Sequence, residues 1–280
     1  MGKFSRSWML VKQSFAVLAA DKRLVLFPVM SALAAIAVSL SFAIPLFTSG
    51  AATSIQNGQG TVAQYVVLFF FYFANYFVVV YFNCALVACA SICLSGGHAT
   101  LTDGLRAANQ RLGRILMWAA VAATVGLLLR MLEERAQKLG KIVVWLLGTT
   151  WTLITYFIVP VLVFEDHDVI ESVKRSAQLF KQTWGEEFAA GFSFTLIWLV
   201  ALLPGLALAA AGWMVHPLAG IAVFVLYMVA LASVAAAVKS IFTVALYRYA
   251  AQQQVPNGFS PELVQGAFGS SRGFAAGAGR

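Results

Sequence analysis

Apolar runs long enough to cross a bilayer alternate along this chain with short stretches whose apolar positions recur every three or four residues. About 20 apolar residues in a helix span the hydrocarbon core. The runs predict six transmembrane helices, at about 24–47, 62–94, 115–132, 142–164, 188–213 and 217–247. The shorter stretches predict amphipathic helices at about 4–20, 100–113 and 168–184. In the first, Phe4, Trp8, Val11, Phe15 and Leu18 draw one stripe, with Lys3, Arg6, Lys12 and Gln13 on the wet side. In the third, the stripe is Ile170, Val173, Ala177, Phe180 and Trp184, with Lys174, Arg175, Gln178, Lys181 and Gln182 outside it. Asp168 and Glu171 have the spacing of a capping box at its start. A basic amphipathic helix carrying Trp suits a lipid headgroup layer. This makes Trp8, Lys12, Phe15, Arg175, Phe180, Lys181 and Trp184 the candidate lipid-interface residues.

The pattern repeats. Arg6 to Phe15, RSWMLVKQSF, matches Arg175 to Trp184, RSAQLFKQTW. A weaker match sets Asp103 to Gln110, DGLRAANQ, against Glu171 to Gln178, ESVKRSAQ. Each such helix precedes a span that starts from the same side. The expected fold class is therefore an all-α membrane protein of three parallel repeats, each an interfacial helix followed by a transmembrane hairpin. Residues 1–249 form one polytopic domain. Residues 250–280 form a loose cytosolic tail with a short helix near 260–268, where Ser260 is an N-cap and Pro261 the first helical residue.

Charge orients the bundle. With the N-terminus inside, the inner segments carry 14 Lys and Arg and the outer loops 4. Cationic loops stay cytoplasmic, so both termini are expected inside. The outer exception is RMLEERAQKLGK, where Arg130, Glu133, Glu134 and Arg135 form a charge cluster whose members pair locally. No signal-peptide pattern precedes the first span, which is expected to be retained.

Composition sharpens the class. Of the 280 residues, 61% are hydrophobic and only 11% charged, against roughly a quarter charged in soluble domains. The net charge of +8 points to anionic phospholipids of the inner leaflet, and no soluble basic module suggests nucleic acid. Cys84, Cys89 and Cys93 share one apolar run and read as helix-contact residues. Glu165, Asp166, His167, Asp168 and Glu171 are the densest ligand-type cluster, but helix-start carboxylates complement the helix dipole. No metal, cofactor or catalytic residue is expected. His98, His167 and His216 fall in different loops. Asn75 and Asn83, in the aromatic second span, are candidate polar contacts within the bundle. Pro160 and Pro204 are candidate kinks.

Four segments resemble an uncharacterised family of bacterial integral membrane proteins, a domain of unknown function. They are FSRSWMLVKQSFAVLAADKRLVLFP, LLLRMLEERAQKLGK, VPVLVFED with SVKRSAQLFKQTWGEE, and VPNGFSPELVQGAF. The resemblance implies a six-span protein of the bacterial inner (plasma) membrane and brings no activity or cofactor with it. The helix-plus-hairpin pattern is also similar to membrane domains attached to glycerophosphodiesterases.

The functional expectation is a non-enzymatic scaffold, self-associating as a homo-oligomer or joined to another membrane protein, that orders lipid or a partner at the inner leaflet. The alternative is a transporter or channel for a small solute, built around Asn75, Asn83 and the span prolines. A water-accessible cavity lined by either Asn at mid-bilayer would favour transport.

Overall fold

The computed structural model describes the backbone of residues 3–50, 53, 61–135 and 138–260, and within these every side chain except 3–7, 138–139, 182–198, 200 and 215. Among the described residues there is no strand. The helices are α1 (Lys3–Ala20), a 3-10 turn (Lys22–Val25), α2 (Leu26–Thr48), α3 (Val62–Leu94), α4 (Leu101–Gln110), α5 (Leu112–Arg135), α6 (Lys138–Ile154), α7 (Ile158–Phe164), α8 (Val169–Val215) and α9 (Pro217–Gln252). Five stretches among the described residues are long and apolar enough to cross a membrane: Lys22–Thr48, Val62–Leu94, Leu112–Arg135, Gly140–Phe164 and Pro217–Gln252. The other expected span, 188–213, lies within α8, where Ala201–Met214 is a shorter apolar stretch. The expected helix near 260–268 falls outside the described residues, apart from Ser260, which is not helical.

The helix ends have local causes. Asp21 stops α1, its carboxylate accepting from the Arg23 N–H at 3.2 Å. α3 ends in a Schellman motif, with Gly97 N–H bonded to Ile92 O and Gly96 N–H to Cys93 O; Gly96 takes φ +85°, which a Cβ would disfavour. α8 begins where its capping pair predicts, the Glu171 N–H donating to Asp168 Oδ1 at 2.7 Å. Pro160 does more than kink its span. Lacking an N–H for the Tyr156 carbonyl, it accompanies a break between α6 and α7. The Phe157 N–H freed there donates to Ser176 Oγ at 3.0 Å.

Two expected boundaries differ. The amphipathic stretch at 168–184 and the span at 188–213 were expected as separate helices, yet α8 runs unbroken for 47 residues, on the order of 70 Å. Gly185 costs a helix only about 1 kcal/mol, and neighbouring helical turns outweigh that. The amphipathic α4 and the following α5 are separated by Arg111 alone.

The chain divides into two compact units. One comprises Phe27–Ala88 and Leu101–Ala177. Here Ser39 Oγ on α2 donates to Asn75 Oδ1 on α3 at 3.1 Å, and Phe42 meets Phe71 edge-on at 5.9 Å. Trp118 of α5 stacks on Trp151 of α6 with centroids 5.7 Å apart. Tyr81 Oη of α3 donates to Asn109 Oδ1 of α4 at 2.9 Å.

The other unit comprises Met1–Leu26, Cys89–Thr100 and Gln178–Arg280. α1 packs on α9, with Leu10, Val11, Ser14 and Leu18 buried. α8 and α9 are joined through His216, whose Nδ1 caps the Leu218 N–H. Their backbones approach so closely that a Cβ on Gly220 would stand 2.8 Å from the Ala209 carbonyl oxygen. Tyr227 lies across Gly205 and donates its hydroxyl to Ala201 O at 2.5 Å. The segment after α9, expected to be loose, is docked as far as it is described. Asn257 N–H bonds Leu94 O at 2.9 Å, Gln13 Nε2 donates to Ser260 Oγ at 2.9 Å, and Phe259 is buried.

Candidate functional site

The amphipathic helices bury only part of the expected stripe: Val11 and Leu18 in α1 and Phe180 in α8. In α8 the buried positions are Val169, Ser172, Ser176, Leu179 and Phe180, whereas Ile170 is 68% exposed. The reason is polar: Ser176 satisfies the Phe157 N–H and Ser172 Oγ donates to the Asp168 carbonyl, so the serines face inward. Phe180, expected against lipid, is only 7% exposed and is therefore a protein contact. Trp8 is 43% exposed, Phe15 half-buried, and Lys12 and Lys181 exposed. The Trp184 side chain lies outside the described residues. Arg175 is not a free headgroup ligand, since its Nε sits 3.1 and 3.0 Å from the two oxygens of Glu165.

Glu165 opens a network that the sequence did not reveal. Its Oε2 lies 2.9 Å from His167 Nε2, and its carbonyl accepts from Arg114 at 3.0 Å. Asp166 pairs with both Arg111 and Arg114. His167 Nδ1 stands 3.6 Å from Glu171. The acidic cluster is thus answered by arginines from the start of α5 and from α8. Arg111 and Arg114 are spaced three apart at a helix start, the signal that could have found them. Among the described residues no group of three His, Cys, Asp or Glu side chains is placed to hold a metal ion.

The other unit holds a cationic pocket. Ala19, Ala20, Asp21, Lys22, Arg23 and His98 line a space of about 430 Å³ where α1 gives way to the first span. Lys22, Arg23 and His98 are exposed. Asp21 is engaged within the fold, by the Arg23 N–H and by the Cys93 thiol, which donates at 3.6 Å. Lys22 and Arg23 thus outnumber the one carboxylate in the lining, Asp21, which is held by the Arg23 N–H and the Cys93 thiol.

The remaining expected positions are distributed elsewhere. Asn75 is committed to Ser39 and to the Phe71 carbonyl. Asn83 is half-buried. Arg130 pairs with Glu134 at 2.9 Å and donates to Tyr72 Oη at 2.6 Å, while Arg135 is exposed. Glu133 points elsewhere, into a cleft of about 460 Å³ shared with Lys141.

A family model described as a family of unknown function, DUF6159, matches residues 62–258. The chain belongs to this family. The DUF6159 match runs from the start of α3 to the docked Gly258, so it takes in the ion-pair network and the 133–141 cleft. It leaves out α1 and the first span. No curated protein and no solved structure matches the chain significantly.

Proposed function

We propose that this protein is a non-enzymatic scaffold of the bacterial inner membrane that seats anionic phospholipid headgroups at its inner face. The carrying observation is the pocket formed by Lys22, Arg23 and His98. Phosphate esters favour adjacent cations such as Lys22 and Arg23 at a membrane surface, and the exposed His98 adds a ring nitrogen for hydrogen bonding. Exposed Lys12 on α1 and Lys181 on α8 add to the attraction within the same unit.

In this reading the chain has six spans, both termini are cytoplasmic, and three repeats each lead from an amphipathic helix into a span. Support comes from matched positions. Leu10 and Leu179 are both buried, as are Val11 and Phe180, while Lys12 and Lys181 are both exposed. α4 and α8 start at equivalent residues, Leu101 and Val169. Gly104 and Ser172, then Ala108 and Ser176, are buried at matching places. The amphipathic helices spend their apolar faces on protein, so lipid meets their charged edges. The commitment of Asn75 to Ser39 favours the scaffold over a transport path. Self-association uses exposed apolar positions such as Leu218 and Leu226, since Gly205, Gly212 and Gly220 are already used within the α8–α9 hairpin.

The test is native mass spectrometry of the full chain in mild detergent with added phosphatidylglycerol or phosphatidylcholine. Wild type retains phosphatidylglycerol preferentially and as an oligomer, and K22Q/R23Q loses the preference. Equal retention of both lipids by wild type, or an unchanged preference in the double variant, refutes the headgroup seat. A monomer at all concentrations refutes self-association.

A further inference from the structure

The cleft between α5 and α6 combines features that a bare helix interface does not need. Gly126, Leu129 and Glu133 line it from α5, at spacings that share one helix face. Lys141, Val144, Trp145, Gly148 and Thr152 line it from α6, also along one face, and Tyr76 closes one side from α3. Gly126 lets Tyr76 approach closely, since a Cβ there would stand 3.1 Å from Tyr76 Oη, and Gly148 adds no side chain to the lining of the cleft. Its volume of about 460 Å³ falls in the range of small-molecule sites.

The charges decide the occupant. Glu133 and Lys141 lie at the hairpin end of the cleft, with aromatic and threonine side chains deeper in. Among the described residues neither has an ion-pair partner, although Arg130 and Glu134 beside them are paired. Glu133 and Lys141 are both exposed, where an oppositely charged headgroup atom can reach them. One anion and one cation in a single lipid-facing cleft fit a zwitterion. We propose that this cleft binds a phosphoethanolamine lipid, its ammonium on Glu133, its phosphate on Lys141, and its chains against Leu129, Val144 and Trp145. A net-anionic lipid satisfies Lys141 but sets its phosphate beside Glu133 unanswered. A choline headgroup has no N–H to donate to the carboxylate.

This site is separate from the Lys22–Arg23–His98 pocket and carries the opposite lipid preference. The full chain in mild detergent is mixed with equal phosphatidylethanolamine and phosphatidylglycerol, and retained lipids are counted by native mass spectrometry. The K22Q/R23Q background removes the anionic seat, so the remaining signal reports the cleft. In that background phosphatidylethanolamine is retained about tenfold over phosphatidylglycerol, the equivalent of one charge-assisted hydrogen bond. E133Q brings the ratio near one, K141Q lowers retention of both, and G148L, which fills the cleft, lowers phosphatidylethanolamine retention several-fold. A ratio near or below one in the background protein overturns the proposal. So does a ratio that E133Q leaves unchanged, whatever G148L does to folding.

Discussion

Gly220→Ala is expected to weaken the protein even though alanine is the better helix former. In a free helix the exchange gains up to about 1 kcal/mol. At position 220 the added Cβ would lie 2.8 Å from Ala209 O, 2.8 Å from Trp213 N and 3.0 Å from Trp213 Cα. All three are backbone atoms, so no side chain can swing away and the α8–α9 hairpin must part. Overpacking of this kind costs about 1–3 kcal/mol, and three close backbone contacts place it near the upper end. The net effect is a loss of about 2 kcal/mol. Gly113→Ala is the matched control, because a Cβ there meets nothing within 4 Å. It should gain about 0.5–1 kcal/mol from propensity. Equilibrium unfolding in mixed micelles, followed by helix content as sodium dodecyl sulfate is titrated, reads both variants. A Gly220→Ala protein as stable as wild type would show that the hairpin is not packed backbone to backbone, and the argument would fail.

Three further outcomes follow from single contacts. Ser176→Ala leaves the buried Phe157 N–H without its acceptor, so the same titration should register a loss of about 1–3 kcal/mol. Tyr227→Phe removes the hydroxyl from Ala201 O beside the proline-weakened turn of α8, for about 1 kcal/mol. In the native protein a maleimide probe should modify Cys93, which is partly exposed, well before the buried Cys84 and Cys89; labelling of all three at one rate would contradict the burial.

The apolar runs announced where membrane-crossing helices lie, because hydrocarbon demands continuous helices of known length. The Asp168–Glu171 cap and the Arg130–Glu134 pair were equally legible, being local in sequence. The face of α8 was not. Hydrophobicity alone set Ile170 and Phe180 on one lipid-facing stripe, whereas Ile170 is exposed and Phe180 is buried in protein on the side of two serines that have backbone partners. The Arg111–Asp166 and Arg114–Asp166 pairs join residues more than fifty positions apart, which periodicity does not see. The docking of the segment 253–258 was missed for a related reason, although Phe259 and Ser260 stood out from the loose composition. Its glycines and glutamines suggest looseness, but Asn257 and Ser260 are held by hydrogen bonds to groups far away in sequence. The Lys22–Arg23–His98 pocket was hidden because its histidine comes from the loop after α3.

One hydrogen bond, Gln13 to Ser260, links residues 247 positions apart, and the helix that bears Gln13 packs on α9. Translation delivers α1 about two hundred residues before α9. α1 therefore waits until α9 is made before its inward face is sheltered, and its protection from protease in ribosome-arrested chains should appear only once α9 has emerged. A chain cut short before α9 would leave Leu10, Val11 and Leu18 of α1 uncovered.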